Sequence, residues 1–238
     1  TDYKLLEATA TADLLQSAVQ ETVLTGHRHY YYSDHTIHRA QSWYASVKML
    51  SNRIGSAEII SGEGKKFWHH SDGWTYFART GNEYFENSVF ATMDFYRLPG
   101  TTVERCPHVV PPSGADYPWY GKGTKSFTGG AVLGNAGVSV MDFDALRSDL
   151  TAKKSWFFFD NEIFCLGSAV KCTTNYEVET IVNQRPILST ALRNVEISGR
   201  AAVSTFPWTD TLKGIDWVVQ DSFGYYFPNK DTLIAKTE

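Results

Sequence analysis

Cysteine is scarce in this chain of 238 residues. Cys106, Cys165 and Cys172 are an odd number and show no CxxC spacing. Neither a zinc ribbon nor a thioredoxin-type site is therefore indicated. No apolar run approaches the roughly 18 residues that cross a bilayer as a helix, so no membrane partner is expected. A basic excess is missing too: 22 Lys and Arg stand against 26 Asp and Glu, a net charge of −4. Nucleic acid is not an expected partner on that balance, though a locally basic groove for an anionic ligand is compatible with it. GxSxG, HExxH, Walker and dinucleotide fingerprints are absent, and no cofactor is implied. The chain opens at Thr1 without Met or a signal-peptide pattern, and reads as a mature form or a piece of something longer.

Aromatic residues are plentiful, 14% of the chain with 7 Trp and 13 Tyr. They suit stacking on sugar rings and equally suit a β core. Residues 1–25 read as a helix, with Leu14, Leu15, Val19 and Val23 near one face and Thr11 or Asp13 as cap. After Gly26 the apolar period falls to two, as in Trp43, Ala45, Val47 and Met49. Hairpins are predicted in "KKFWHHSDGWTYFA", "SFTGGAVLGNAGVSVMDF", "KSWFFFDNEIFCLGSAVK" and "WVVQDSFGYYFP". "CPHVVPPSGADYPWYGKGTK" carries four prolines and is a long loop. Cys165 and Cys172 fall in a strand and its exit, as small buried hydrophobes. Many strands, one leading helix and no βαβ alternation predict a mainly β fold, a large antiparallel β-sandwich over 26–238.

The residues that can carry chemistry are few. His27 and His29 share a strand face, but no carboxylate completes a ligand set; exposed loop histidines are the simpler reading, and no metal is expected. Arg39 has the parity of Trp43 and Val47, the presumed inward face, so it must be paired or line a cleft. A structural salt bridge and a bidentate grip on a substrate carboxylate are the two readings. Glu63 in "SGEGKK" reads as a solvated turn acid and Asp72 as a turn residue. Asn135 in "GGAVLGNAG" is a turn residue with positive φ, or an amide pointing into a glycine-floored cleft.

Four segments taken together change the reading. "HTIHRAQSWYASVKMLSNRIGSAE", "GWTYFARTGNEYFENSVFATMDFYRLPGTTVE", "FTGGAVLGNAGVSVMDFD" and "LTAKKSWFFFDNEIFCLGSAVK" resemble the central β domain of polysaccharide lyase family 8, the hyaluronate, chondroitin and xanthan lyases. The most specific pairing is "DFYRLPGTTVE" followed downstream by "TAKKSWFFFDNEI…LGSAV". The resemblance runs from about Gly26 to Phe227. It implies an antiparallel β-supersandwich, similar to galactose mutarotase, following an (α/α) toroid whose tail or linker would be residues 1–25.

The resemblance also implies a secreted enzyme that cleaves an acidic, uronate-containing polysaccharide by β-elimination. The Asn, His and Tyr that perform it come from the toroid, so no residue here inherits those roles. The β domain supplies the opposite wall of the cleft. Family members often read M-x-R-x-x-H-R where this chain reads Ser33-Asp34-His35-Thr36-Ile37-His38-Arg39. Arg39 then keeps a catalytic arginine, while His35 replaces the other. His38, Glu63 and Asn135 become candidate substrate contacts, and Trp119 or Tyr120 in the long loop can stack on sugar. Glu63 matches the acid of an N-x-E-N-like tract whose asparagines are replaced by Ser61 and Gly64. Two rivals stay open: a non-catalytic carbohydrate-binding or scaffold domain, and a mutarotase-like epimerase, which needs a His and a carboxylate in one concave pocket.

Overall fold

The computed structural model describes residues 24–57, 63–81, 83–84, 87–108, 121–187 and 194–237. The helix expected over 1–25 and the candidate Trp119 lie outside the described residues. The described part is mainly β, and every strand pairing in it is antiparallel.

Two compact units are present, one built from residues 1–82 and 92–184, the other from 83–91 and 185–238. In the first, β1 (Gly26–Tyr30), β2 (His35–Arg39), β3 (Tyr44–Lys48) and β4 (Trp74–Ala78) form a four-stranded meander. After helix α1 (Asn87–Thr92) and β5 (Thr102–Glu104), a second meander follows: β6 (Thr128–Leu133), β7 (Ala136–Asp144), β8 (Thr151–Phe158) and β9 (Ile163–Lys171). β10 (Val178–Thr180) returns to pair with β5. The second unit holds β11 (Val195–Ile197), β12 (Trp208–Leu212), β13 (Trp217–Gln220), β14 (Phe223–Tyr226) and β15 (Leu233–Thr237) around Val195, Ile197, Leu212 and Ile215.

The core of the first unit follows from period-two alternation. Ala45, Val47 and Met49 meet Met141, Phe143, Trp156 and Phe158 from the facing sheet, all at 1% exposure or less. Burial of each large side chain there contributes about 1.5–3 kcal/mol. Asp34, fully buried in the β1–β2 turn, accepts hydrogen bonds from Ser51 and Arg53, and its carbonyl accepts from the Met49 amide at 2.9 Å. That ties the start of β2 to the end of β3.

Several turns differ from expectation. Only the second half of "KKFWHHSDGWTYFA" is a strand. Its first half is a run of i to i+3 turns, with amides of Phe67, His70 and Asp72 bonded to carbonyls of Gly64, Phe67 and His69. The β6–β7 loop is Gly134-Asn135, and the positive φ falls on Gly134 at 59°, not on Asn135, because glycine takes the first position of this two-residue turn. The β13–β14 turn falls on Asp221-Ser222, both with positive φ, rather than near Ser222-Phe223-Gly224 where the glycine points in the sequence. Cys165 is exposed and Cys172 half-buried, since β9 is an edge strand.

Candidate functional site

The two faces of the first sheet have opposite character. In β2 and β3 the partners are Thr36 with Val47, His38 with Ala45 and Arg39 with Tyr44. Even positions of β2 therefore share a face with odd positions of β3, and the reversal of parity through the connecting loop puts Arg39 outward. The inward placement expected for Arg39 is corrected: it is exposed, while His38 is 1% exposed. His38 stacks on Phe158 at 5.5 Å and tilts against Trp43 at 5.0 Å, so it has no access to a polymer on the outer face. His27 lies directly across the ladder from His38, buried in a strand rather than exposed on a loop. Burial, with His38 and His29 nearby, pulls His27 down to about 4.

The outer face gathers cations and aromatic rings in register. One row is Arg39, Tyr44 and Ala78; the next is Arg28, Ile37, Ser46 and Tyr76; the third is Tyr30, His35, Lys48 and Trp74. Cross-strand neighbours of this kind lie side by side on one face. Arg28 and Arg39 are exposed, and among the described residues neither has a carboxylate partner. Tyr44 and Tyr76 meet edge to face at 6.0 Å, and His70 closes the third row against Trp74 at 5.5 Å. Lys48 is half-buried and donates to the Ser33 carbonyl; burial lowers its pKa and Asp34 opposes that shift. Burial first, then Lys48, His70 and His29, hold His35 below the usual histidine value. His70 is lowered mainly by burial and by Lys48.

The structure thus unites His35 and Arg39, four residues apart on one strand. Glu63 is exposed on the loop before the turns leading to β4, and Asn135 is exposed at the tip of the β6–β7 hairpin on the other sheet. No contact joins either to Arg39 among the described residues. Arg28, Lys48, Tyr44, Tyr76 and Trp74 were missed because each reads in the sequence as the solvated half of an alternating strand. The available signal was register: all pair in line with the His35/Arg39 face. Among the described residues no group of three or more His, Cys, Asp or Glu is placed to hold a metal ion.

Residues 25–238 match the model of the super-sandwich domain of polysaccharide lyase family 8. The chain belongs to that family. It is similar to a hyaluronate lyase of Thermasporomyces composti, 33% identical over 222 residues, which covers 89% of this chain and 27% of that protein. It is also similar to a xanthan lyase of Bacillus sp. strain GL1, 34% identical over 220 residues, covering 89% of this chain and 23% of the relative. Among solved structures, Paenibacillus xanthan lyase aligns with a TM-score of 0.78 at 33% identity, covering 89% of this chain and 20% of that one. A Streptomyces coelicolor chondroitin AC lyase in complex with chondroitin sulphate aligns at 0.70 and 28% identity, covering 89% and 27%. The chain spans about a quarter of the length of these lyases. No helix of the described residues is long and apolar enough to cross a membrane.

Proposed function

We propose that this chain is the substrate-binding wall of a secreted polysaccharide lyase that cleaves an acidic, uronate-containing glycan by β-elimination. An upstream helical toroid supplies the proton-abstracting groups. The observation that carries the reading is that Arg28 and Arg39, exposed and without a carboxylate partner among the described residues, share the sheet face on which Tyr44 lies opposite Arg39 and meets Tyr76. A uronate offers a carboxylate to a guanidinium and an apolar ring face to an aromatic side chain. β-Elimination removes the proton on the carbon bearing the carboxylate, so negative charge builds on that carboxylate as the C–H bond breaks. A fixed cation such as Arg39 stabilises that charge more than it stabilises the ground state, which lowers the barrier. His35, Glu63, Asn135 and Trp119 remain proposed contacts along the polymer.

The test follows ultraviolet absorbance of the unsaturated uronate product on hyaluronan, chondroitin and xanthan. It compares this chain with a polypeptide extended upstream through the helical domain. Activity in the extended polypeptide that Arg39→Ala cripples supports the reading. Activity in this chain alone overturns the division of labour, and polymer binding without product in either favours a binding or scaffold domain. The epimerase reading gains little: His69 and Asp72 do meet in one cavity, but its volume of about 20 Å³ holds a water-sized molecule and not a sugar ring.

A further inference from the structure

The turn that joins β1 to β2 presents three consecutive tyrosines to solvent. Tyr30 is 46%, Tyr31 61% and Tyr32 81% exposed. The Tyr31 and Tyr32 rings pack on one another at 4.6 Å, with 36° between their planes. Rings left in water forgo the free energy of burial, and contiguous exposed patches of this kind mark places where something binds.

The backbone beneath the rings is fixed from behind. The Ser33 amide and hydroxyl both donate to the Tyr30 carbonyl, at 3.1 Å and 3.2 Å. Lys48 Nζ donates to the Ser33 carbonyl. Arg53 Nε donates to the Tyr31 carbonyl at 3.3 Å. The same guanidinium donates to the Ser126 carbonyl at 3.1 Å, the Thr128 carbonyl at 2.7 Å and the buried Asp34 carboxylate. Asp34 itself takes a φ of 47°, which turns the chain back into β2. These ties hold main chain and leave the tyrosine rings outside. A tip organised in advance loses little freedom when a ligand lands on it.

Register joins the tip to the outer face of β1–β4. Tyr30 pairs with His35, and Lys48 and Trp74 complete that row. From Arg39 back to His35 is about 13 Å along β2 at the rise of an extended strand. Tyr31 and Tyr32 lie beyond that row, more than a disaccharide's length from Arg39. The chemistry of the tip is narrow. Tyr30-Tyr31-Tyr32-Ser33-Asp34 contains no aliphatic side chain, and its one charged residue, Asp34, is buried and paired with Arg53. The tip therefore suits an uncharged, flat apolar face with hydroxyls at its rim. A pyranose ring is such a surface: its axial C–H bonds form the apolar face, and a tyrosine matches it with an apolar ring and a polar edge.

We propose that Tyr31 and Tyr32 form an outlying sugar-stacking subsite for the polymer whose uronate Arg39 receives. The inference rests on the reading of β1–β4 as a polysaccharide-binding wall and gives that wall a direction, along β2 toward the β1–β2 turn. Stacking at the tip adds affinity for long chains and takes no part in the reaction.

The folded chain is run by affinity electrophoresis in gels carrying hyaluronan, chondroitin or xanthan, and dissociation constants are read from the retardation relative to gels without polymer. The double variant Tyr31→Ala/Tyr32→Ala, checked for native melting, is expected to weaken binding of the retained polymer about fivefold or more. Tyr31→Phe/Tyr32→Phe keeps both rings and is expected to stay within about twofold of the parent. An unchanged constant in the alanine pair, with Arg39→Ala still weakening binding, overturns the subsite and leaves the wall standing. Weakening by the alanine pair without any effect of Arg39→Ala overturns the shared track, and no retardation on any polymer overturns both readings. Sedimentation tests the other occupants. A wild-type dimer that the alanine pair dissociates assigns the tip to a second copy and overturns the proposal. A loss of melting temperature confined to the alanine pair in the upstream-extended polypeptide assigns it to the helical domain and does the same.

Discussion

Arg39 and Tyr44 lie directly opposite one another across β2 and β3, on the open face of the sheet. If this row grips the uronate, Arg39→Ala in the polypeptide carrying the helical domain should lower kcat/KM about 100-fold, ~2.7 kcal/mol. Arg39→Lys keeps the charge and loses the planar fork, so it should recover only part of that. Steady-state rates from product absorbance decide it; a change under threefold for Arg39→Ala would remove Arg39 from the reaction.

His35 should make polymer binding sensitive to acid. Its pKa lies below the ordinary value of 6.5, so the ring is neutral at pH 7 and gains charge only as the pH falls through that lowered value. His35→Arg makes the charge permanent and should tighten binding of a hyaluronan oligosaccharide about threefold at pH 7.5, ~0.6 kcal/mol. The gain should shrink toward pH 5. Calorimetric titration at the two pH values would show an identical ratio if His35 does not face the polymer.

Acid should weaken the fold from within. His27 titrates near 6.5 in the unfolded chain and near 4 in the folded one. Between those values the unfolded state binds the extra proton. The stability that neutral His27 brings is complete above about 6.5 and is lost as the pH falls toward 4, at about 1.4 kcal/mol per pH unit. His27→Leu should reduce the slope of unfolding free energy against pH by about one proton. Urea denaturation from pH 7.5 to 4.5 measures it, and an unchanged slope would mean that His27 is protonated equally in both states.

Two glycines of the facing sheet offer a matched pair. A Cβ on Gly137 would sit 2.1 Å from the His27 ring, whereas a Cβ on Gly129 meets nothing within 4 Å. Gly137→Ala should therefore cost about 1–3 kcal/mol through forced displacement, and Gly129→Ala should stay within about 0.5 kcal/mol of the parent. Thermal melts of the two variants should separate by several degrees; coincident melts would show that His27 moves aside freely.

Alternation made the core legible: Ala45, Val47 and Met49 are buried as the period of two requires. The β6–β7 and β8–β9 hairpins were legible in "SFTGGAVLGNAGVSVMDF" and "KSWFFFDNEIFCLGSAVK", whose two halves pair antiparallel. The facing of Arg39 was not legible, because parity carried through a loop depends on how many residues the turn consumes, and composition does not reveal that number. The family resemblance pointed to β2, and register then separated the outward His35 and Arg39 from the buried His38. The His69–His108 contact joins residues 39 apart in sequence, and no local pattern predicts such a meeting. Asp34 drew no reading from the sequence, and only its burial against Ser51 and Arg53 reveals a strut.

The sheet β1–β4 carries histidines on both sides, and protons act on the two sides with opposite sign. If the outer face binds the proposed polyanion, charge gained by His35 and His70 draws it in, while charge forced on His27 and His38 enters a dry interior. The amount of polymer held by folded protein must then pass through a maximum as a solution is acidified. Its acid limb belongs to the core and its alkaline limb to the cleft, so substitutions on one side of a single sheet should move one limb and leave the other in place.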